Sequence, residues 1–574
     1  MIENFSNAPP SIFGDQNYIH YIVEYQGNIV EDSKNSSTMY ITVINNKYAV
    51  ISMPLKSPTD RFTLKNNPFP SIVYISRYYG YTLQSLSPII AANINLTQIE
   101  SPFFLTGKGV IVGMIDTGID YLNKEFMNDD GTTRILNIWD QTIKLPNVNG
   151  NIPFGSIYTN TDINNAIKAY NEGNDPYRIV PSKDELGHGT AMAGIIGAKG
   201  LNPEVKGAAP DCEYVVVKLI EALSVEKYLT PTVPIYGRTS IMFALNYLYQ
   251  YAITVNKPMV IFLPLGTTFG NHKGDGLLED FINDISNNKG LAVVTGSGNE
   301  ADTSGHASGR IEKKGDFKDI PLYISDKQNF LRIEIWVDKP NIMSLEIISS
   351  SGENSGIIPA FLNQQQTNQF IFEKTIVTVT YYLPDELSGD ELIVIDMSYL
   401  RPGTWKLRLF GDYVLDGTYN SWLLPKGLTL GDTRFISPDP YGTFTGPGSS
   451  EFIITVANYN QNNYNLVNSS GMAFLNNVKN GIDIAAGGVN VKTIAPNNKT
   501  AVISGTSVSA AVVAGASALM FQWGITDGND PDMYAQKLRT YLSRGTSKRM
   551  NDVYPNAEWG YGVLDMIGVF KYLQ

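Results

Sequence analysis

The sequence predicts a parallel α/β fold that is interrupted by a β-rich insertion and preceded by a small α+β segment. Apolar runs such as GVIVGMID (109–116), EYVVVKLI (213–220) and PMVIFLPL (258–265) lack polar alternation. Such runs are typical of strands buried on both faces of a parallel sheet. Between about 310 and 430, short strand patterns follow one another with Gly, Pro, Asn and Asp between them. That pattern predicts a β-sandwich or jelly roll.

Changes in these patterns divide the chain into four segments. The N-terminal segment has strand-like stretches from Tyr18 and Met39, the second with a hairpin turn at Asn45-Asn46. The α/β pattern starts after it and resumes after the β-rich segment. The predicted boundaries are 1–84 for the α+β segment, 85–310 for the first part of the α/β core, 311–430 for the inserted β-domain and 431–574 for the second part of the core.

Composition excludes several classes of protein. The 574 residues carry a net charge of −12, which argues against nucleic acid or an anionic membrane as the main partner. A single cysteine excludes a disulfide framework within the chain. The N-terminus lacks a basic region followed by an apolar run, and no apolar stretch of about 18 residues occurs. We therefore expect no classical signal peptide, no membrane span, and a cytoplasmic or spore location.

Three motifs carry the chemistry. VGMIDTGID places Asp116 at the end of a predicted buried strand, GHGTAMAG places His188 at the start of a helix, and SGTSVSAAVVAG places Ser507 at the start of another. A serine hydroxyl is a weak nucleophile that needs an imidazole base, and a carboxylate orients that base. The chain order Asp, His, Ser is that of subtilisin. The three residues are predicted to form a catalytic triad.

The motifs resemble the signature blocks of the subtilases, a family of serine proteases. By that resemblance, Asn299 in VVTGSGNE supplies the side-chain amide of the oxyanion hole. PLGTTFG and TGSG are similar to the two segments that bind substrate in this family. The implied substrate-binding residues are Pro264, Leu265, Gly266, Gly296, Ser297 and Gly298.

Spacing places the β-domain between the oxyanion hole and the nucleophile. His188 lies 72 residues after Asp116 and Ser507 lies 319 residues after His188. In subtilisin these separations are about 32 and about 157 residues. The first excess predicts a surface insertion within 125–183, and the second coincides with the β-rich segment. PGTWKLRLFG, near its end, resembles the closing strand of jelly rolls attached to kexin-like subtilases.

The whole layout resembles the clostridial Csp germination proteases. That resemblance implies that residues 1–84 are a prodomain, which assists folding and stays in the cleft after cleavage as an inhibitor. YGYTLQ-SLSP fits self-cleavage between Gln84 and Ser85. It also implies a protein substrate, the inactive precursor of a hydrolase that degrades the spore cortex.

Two other functions fit the same motifs. One is a pseudoprotease of the same fold that acts as a germination signalling scaffold, and the other is a general degradative protease. No cofactor and no metal are predicted. The remaining histidines, His20, His272 and His306, lack a surrounding motif and are interpreted as surface or structural residues, the last two in loops.

Overall fold

A computed structural model describes most of the chain, and the following account refers to the residues that it describes. These are 5–55, 62–76, 80–83, 90–99, 103–144, 152–224, 229–362, 364–475 and 481–573. The predicted cleavage residues Gln84 and Ser85 lie outside the described residues.

The N-terminal segment folds into an antiparallel sheet. Its strands are β1 (Tyr18–Tyr25), β2 (Tyr40–Val43), β3 (Tyr48–Pro54) and β4 (Ile72–Ile75), in the order β2-β3-β1-β4, with a short helix α1 (Ile29–Asp32). The predicted hairpin at Asn45-Asn46 connects β2 and β3. The next strand, β5 (Gly80–Leu83), does not join this sheet and pairs with the core instead.

The first part of the core alternates strands and helices, as predicted. Its elements are α2 (Ile94–Ile99), β6 (Ile111–Asp116), β7 (Ile135–Asp140), β8 (Ser156–Thr159), α3 (Asn160–Asn171), α4 (His188–Gly197), β9 (Glu213–Lys218), β10 (Tyr236–Gly237), α5 (Arg238–Val255), β11 (Met259–Phe262), β12 (Leu265–Gly266), α6 (Leu277–Ser286) and β13 (Leu291–Gly296).

The insertion is a pair of antiparallel sheets. Its strands are β14 (His306–Arg310), β15 (Phe317–Ile324), β16 (Phe330–Val337), β17 (Ile342–Ile348), β18 (Asn354–Ile358), β19 (Gln365–Gln369), β20 (Ile376–Tyr382), β21 (Glu391–Ser398), β22 (Gly403–Tyr413), β23 (Thr418–Leu423) and β24 (Arg434–Phe435). One sheet has the order β14-β23-β16-β21-β20-β19 and the other β18-β17-β22-β15-β24. The strands therefore extend slightly beyond 311–430 at both ends.

The second part of the core returns to the central sheet. It consists of β25 (Ile454–Asn460), β26 (Asn465–Leu466), β27 (Ile484–Gly487), β28 (Val491–Ala495), β29 (Lys499–Ile503), α7 (Thr506–Phe521), α8 (Ala535–Gly545) and α9 (Met566–Leu573). The central sheet has the order β26-β25-β13-β11-β6-β9-β7-β8, with β27 beside β25. Its strands are parallel except β8 and β26. β7, β8 and α3 come from the predicted insertion within 125–183.

Helix α7 is buried along its whole length against the central sheet and α4. It is rich in Ala, and Gly515 allows a close approach of its neighbours, since a Cβ on Gly515 would lie 2.4 Å from the Cβ of Ala208. Among the described helices, the stretch Thr506–Thr526 is long and apolar enough to cross a membrane by length and composition. However, 89% of its most apolar window is buried inside the protein, as expected of a core helix.

Candidate active site

Asp116 is the last residue of β6, at the carboxyl edge of the central sheet. Active sites of open α/β sheets form at this edge. The side chain is fully buried, and its Oδ1 accepts a hydrogen bond of 2.7 Å from the backbone N–H of Thr117. His188 Nδ1 lies 2.8 Å from Oδ1 and 2.9 Å from Oδ2. A carboxylate in this position fixes the imidazole tautomer with the proton on Nδ1, so that Nε2 can act as a base.

His188 is the first residue of α4, and its side chain is 12% exposed. The first turn of this helix contacts the loop after β6: the backbone N–H of Gly189 donates to Thr117 Oγ1 at 2.9 Å. Glycine is required at position 189 because a Cβ there would lie 2.1 Å from the carbonyl oxygen of Gly118. The small residues after His188 therefore let the helix approach the loop that follows Asp116.

Ser507 is the second residue of α7, and it is fully buried. Its Oγ has no hydrogen-bond partner among the residues that the structure describes. A buried polar atom without a partner destabilises a fold, and catalytic groups are a common reason for its presence. The N-terminus of α7 also carries a partial positive charge, which favours an anion beside Ser507.

Asn299 follows β13 and faces the start of α7. Its Oδ1 accepts hydrogen bonds from the backbone N–H and the hydroxyl of Thr506, at 3.3 and 3.5 Å. Both contacts hold the amide oxygen toward the helix, so Nδ2 is the atom that can donate to a ligand. An amide N–H and a helix N-terminus are therefore adjacent, as an oxyanion hole requires.

The structure brings the predicted substrate-binding residues together around β12 and the end of β13. Pro264 lies directly before β12, which consists of Leu265 and Gly266, and Gly296 ends β13. A third segment, which the sequence analysis missed, closes the site: Thr445 N–H donates to the Ser297 carbonyl at 3.0 Å. Gly298 has a φ of +90°, and a Cβ there would lie 2.6 Å from the Thr445 side chain. Thr445 comes after the insertion, so only the fold reveals this contact.

A strand of the protein itself pairs with β12, the predicted substrate-binding strand. Strand β5 pairs antiparallel with β12, with Leu83 opposite Leu265 and Thr82 opposite Gly266. On its other edge β5 pairs with β10, with Tyr81 opposite Tyr236. Strand β10 was not predicted from the sequence, because a strand of two residues shows no periodic pattern of apolar side chains.

The insertion contacts the loop that follows β12. Lys273 Nζ pairs with Asp390 at 2.6 Å and with Asp338 at 3.0 Å, and Gly270 N–H donates to Glu334. The His272 ring stacks on Trp422, with ring centroids 4.3 Å apart. The β-sandwich thus holds the loop that follows β12.

Three ionisable groups near this junction have shifted pKa values. Burial raises the pKa of Glu300, the residue after Asn299, to about 7, although the backbone N–H of Lys426 opposes this shift. Burial lowers the pKa of His272 to about 4 and also lowers the pKa of His306. Both histidines are buried in an aromatic cluster around Trp422, and His306 lies in β14 rather than in the predicted loop.

Among the described residues, no group of three or more His, Cys, Asp or Glu side chains is arranged to hold a metal ion. The described residues include the Asp116–His188 pair and, at the start of α7, the buried Ser507 beside the amide of Asn299, whereas no hydrogen bond joins Ser507 Oγ to His188. This set of groups can carry out acyl transfer.

Comparison with known proteins gives the family of the chain. A sequence model of the Subtilase family, peptidase family S8, matches residues 107–333 and 437–562, more than half of the chain. The solved structure of the CspB protease of Clostridium perfringens is 29% identical with a TM-score of 0.75, and the match covers 84% of this chain and 98% of that one. Sphericase and the S41 psychrophilic protease are each 15% identical with TM-scores of 0.41, covering 82% of this chain and 97% of theirs. No curated protein sequence matches the chain.

Proposed function

Because the chain belongs to the subtilase family of serine peptidases, we propose that it cleaves its own chain between Gln84 and Ser85 and then acts by limited proteolysis. In this proposal residues 1–84 are a prodomain that stays bound after cleavage. The protein target is the inactive precursor of a hydrolase that degrades the spore cortex during germination.

The proposed chemistry follows from the arrangement of the side chains. Ser507 Oγ attacks the scissile carbonyl carbon while His188 Nε2 accepts its proton, and Asp116 stabilises the imidazolium. Asn299 Nδ2 and the backbone N–H of Ser507 stabilise the negative charge on the carbonyl oxygen. His188 then gives the proton to the leaving amine, and the acyl-enzyme forms. Water, deprotonated by the same imidazole, hydrolyses the acyl-enzyme and restores Ser507.

The register of β5 is the observation that carries the cleavage proposal. Thr82 lies opposite Gly266 and Leu83 opposite Leu265. Gln84 is the next residue in the chain after this paired strand. Antiparallel addition of an extended segment to an exposed strand is a common way of binding peptides. The pairing therefore supports Gln84 as the residue before the scissile bond.

Contacts away from the cleft support retention of the prodomain. Phe13, in the 3₁₀ turn Pro10–Gly14, stacks on Phe154 of the core with ring centroids 4.2 Å apart and meets Phe243 of α5 edge-on at 5.9 Å. Tyr48 of β3 packs edge-on against Phe281 of α6 at 5.9 Å. Buried aromatic pairs stabilise an interface beyond their area alone. These contacts do not depend on the peptide bond after Gln84.

The proposed target and location rest on the likeness to the CspB protease and to the Csp layout. A protease with its own strand in the cleft is suited to a partner that competes for that strand rather than to bulk protein. By its likeness to the Csp layout, we propose that it acts inside the cell or the spore. A broad degradative enzyme would instead need an open cleft.

Amino-terminal sequencing of the purified full chain tests the cleavage site. We expect a second N-terminus at Ser85 in the wild type and none in Ser507→Ala. A new end far from Ser85, or the same cleavage in both proteins, would contradict the proposal.

Retention can be tested with Phe13→Ala, compared with Phe372→Ala, which removes a phenylalanine that is 77% exposed on the insertion. Loss of a buried phenylalanine costs about 3–5 kcal/mol. We expect the cleaved N-terminal fragment to co-elute with the rest of the chain in the wild type and in Phe372→Ala, but to separate in Phe13→Ala. Co-elution in all three would show that Phe13 does not hold the fragment.

The target class can be tested with two substrates and an active-site label. The protease proposed here reacts with a fluorophosphonate at Ser507 and converts a cortex hydrolase precursor to one discrete product, while leaving unfolded casein largely intact. A pseudoprotease scaffold would not react with the label. Rapid digestion of casein would favour the degradative alternative.

A further inference from the structure

A buried carboxylate four residues before His188 has no assigned role. Asp184 is 5% exposed, and its two oxygens accept hydrogen bonds from several groups. Oδ1 accepts from Thr117 Oγ1 at 2.7 Å and from Gly187 N–H at 2.8 Å. Oδ2 accepts from the N–H and the hydroxyl of Thr190, at 2.8 and 2.7 Å. Charge-assisted hydrogen bonds of this length are among the strongest in proteins.

These bonds connect the two segments that carry the catalytic pair. Thr117 is the residue after Asp116, whereas Gly187 and Thr190 lie on either side of His188. Thr117 Oγ1, which donates to Asp184, also accepts from the N–H of Gly189. Asp184 and Thr117 together therefore tie the end of β6 to the first turn of α4, in addition to the bond between Asp116 and His188.

Helix capping explains only part of this arrangement. A carboxylate often accepts from free N–H groups at a helix N-terminus, and Thr190 N–H is such a donor. A cap does not require a bond to Thr117, which lies 67 residues earlier in the chain. Gly187, at the residue before the helix, has a φ of 77° and makes no side-chain cap, so its bond to Asp184 also fixes the backbone directly before His188.

We propose that Asp184 is a positioning residue that holds His188 in line with Asp116 by cross-linking the loop after β6 to the start of α4. It does not contact the reacting atoms. Its loss would let the imidazole move relative to Asp116 while the substrate-binding strands, which it does not contact, stay in place. A displacement of about 1 Å can lower turnover by about 10²-fold.

The test compares Asp184→Asn with Glu125→Gln in the full chain. Glu125 is a matched control, since its buried carboxylate accepts from the N–H groups of Gly200, Leu201 and Asn202, beyond the opposite end of α4. In Asp184→Asn one carboxylate oxygen is replaced by an NH₂ group, which cannot accept the hydrogen bonds that the oxygen accepted. The substrate is acetyl-Tyr-Thr-Leu-Gln-p-nitroanilide, whose peptide copies residues 81–84. We expect kcat to fall about 10–10²-fold in Asp184→Asn with KM within about twofold, and both constants to stay unchanged in Glu125→Gln.

A spectroscopic readout does not depend on turnover. The proton between His188 Nδ1 and Asp116 should give a low-field resonance in the NMR spectrum of the wild type. We expect this resonance to shift or broaden in Asp184→Asn and to be unchanged in Glu125→Gln. The double variant Thr117→Val/Asp184→Asn should lose little more kcat than Asp184→Asn, because the two residues act through one cross-link.

Other results would overturn the proposal. If kcat and the low-field resonance of Asp184→Asn match those of Glu125→Gln, Asp184 is only a structural carboxylate. If KM rises while kcat is kept, Asp184 acts on substrate binding instead. Should Asp184→Asn fail to fold, Thr117→Val removes the same cross-link from the other side, and an unchanged resonance and kcat in that variant would also exclude the proposed role.

Discussion

Asp116 and Asp184 of the α/β core and Glu391 of the inserted β-sandwich are all buried carboxyl groups, but they face different numbers of hydrogen-bond donors. In the core, Asp116 faces His188 and the N–H of Thr117, and Asp184 accepts from Thr117, Gly187 and Thr190. In the sandwich, Glu391 Oε2 accepts from the N–H of Met343, while Oε1 has no partner among the described residues.

The surroundings of Glu391 change the pKa of that carboxyl group. Hydrogen bonds that favour the ionised form allow a carboxylate to stay charged when it is buried. Burial raises the pKa of Glu391 to about 8 against the single hydrogen bond from Met343, so this group is largely protonated at neutral pH. Asp116 and Asp184 therefore face donors of the candidate active site, whereas Glu391 of the sandwich is a buried carboxyl group that is kept neutral. The variants below test this contrast, from the largest expected effect to the smallest.

Asp116→Asn should have the largest effect. The amide keeps the shape of the side chain but no longer fixes the reactive tautomer of His188, and the equivalent change in a serine protease of another fold lowers kcat about 10⁴-fold. We expect a similar loss with the tetrapeptide substrate in steady-state kinetics and little change in the free energy of unfolding. Retention of most of the kcat would contradict the assignment of the pair.

Glu391→Gln should stabilise the protein at alkaline pH without changing kcat. In the unfolded chain Glu391 ionises near its ordinary pKa of 4.5, whereas in the folded protein it ionises near 8. The unfolded state therefore binds fewer protons between these values, and the wild type loses stability as the pH rises from 4.5 to 8. This loss is on the order of 4 kcal/mol.

Urea unfolding of Glu391→Gln and the wild type at pH 5 and pH 8 measures that loss. The variant should lack the part of the pH dependence that Glu391 causes, so the gap between the two proteins should widen at pH 8. A gap that is the same at both pH values would show that Glu391 is already ionised in the folded protein.

Asn299→Ala tests the donor side of the site. Loss of one oxyanion-hole donor lowers kcat about 10²–10³-fold, or about 3–4 kcal/mol. We expect this loss with KM nearly unchanged, because the amide stabilises the transition state more than the bound substrate. A matched Asn137→Ala variant, at a half-buried asparagine of β7 that donates to Tyr247, controls for loss of packing. Equal kcat in Asn299→Ala and the wild type would remove Asn299 from the mechanism.

Lys273→Met should have the smallest effect, since its ion pairs to Asp338 and Asp390 are partly exposed to solvent. We expect a loss of about 1–2 kcal/mol in unfolding free energy, because Asp390 is buried and keeps only its bond from the N–H of Lys339. Differential scanning calorimetry would show a lower transition temperature. An unchanged transition would mean that the other contacts, those of His272 and Gly270 among them, hold the sandwich to the loop without Lys273.

Much of the fold followed from the sequence, because apolar strands that end in Asp or Gly are distinctive. The strand that ends at Asp116, the small-residue helices after His188 and Ser507, and the insertion located by spacing all appear in the structure. The motif VVTGSGNE pointed to Asn299, but the sequence alone does not show that Asn299 contacts Thr506.

The parts that escaped prediction depend on contacts between distant residues. Asp184 looks like an ordinary loop residue in DELGHGT until Thr117, 67 residues earlier, is brought beside it. Strand β10 is too short to show a periodic pattern of apolar residues. Thr445 lies beside Ser297 only because the chain returns to the core after the insertion. His306 has small and polar neighbours in the sequence, a pattern typical of a loop, yet it lies in β14 against Trp422.

Intact-mass spectrometry of the purified full chain, beside Ser507→Ala, tests the central claim most directly. We predict that the wild type gives two fragments whose masses correspond to a cut between Gln84 and Ser85, and that Ser507→Ala gives one uncut chain. A wild type that stays uncut, or a Ser507→Ala protein that is cut at the same bond, would contradict self-cleavage by Ser507.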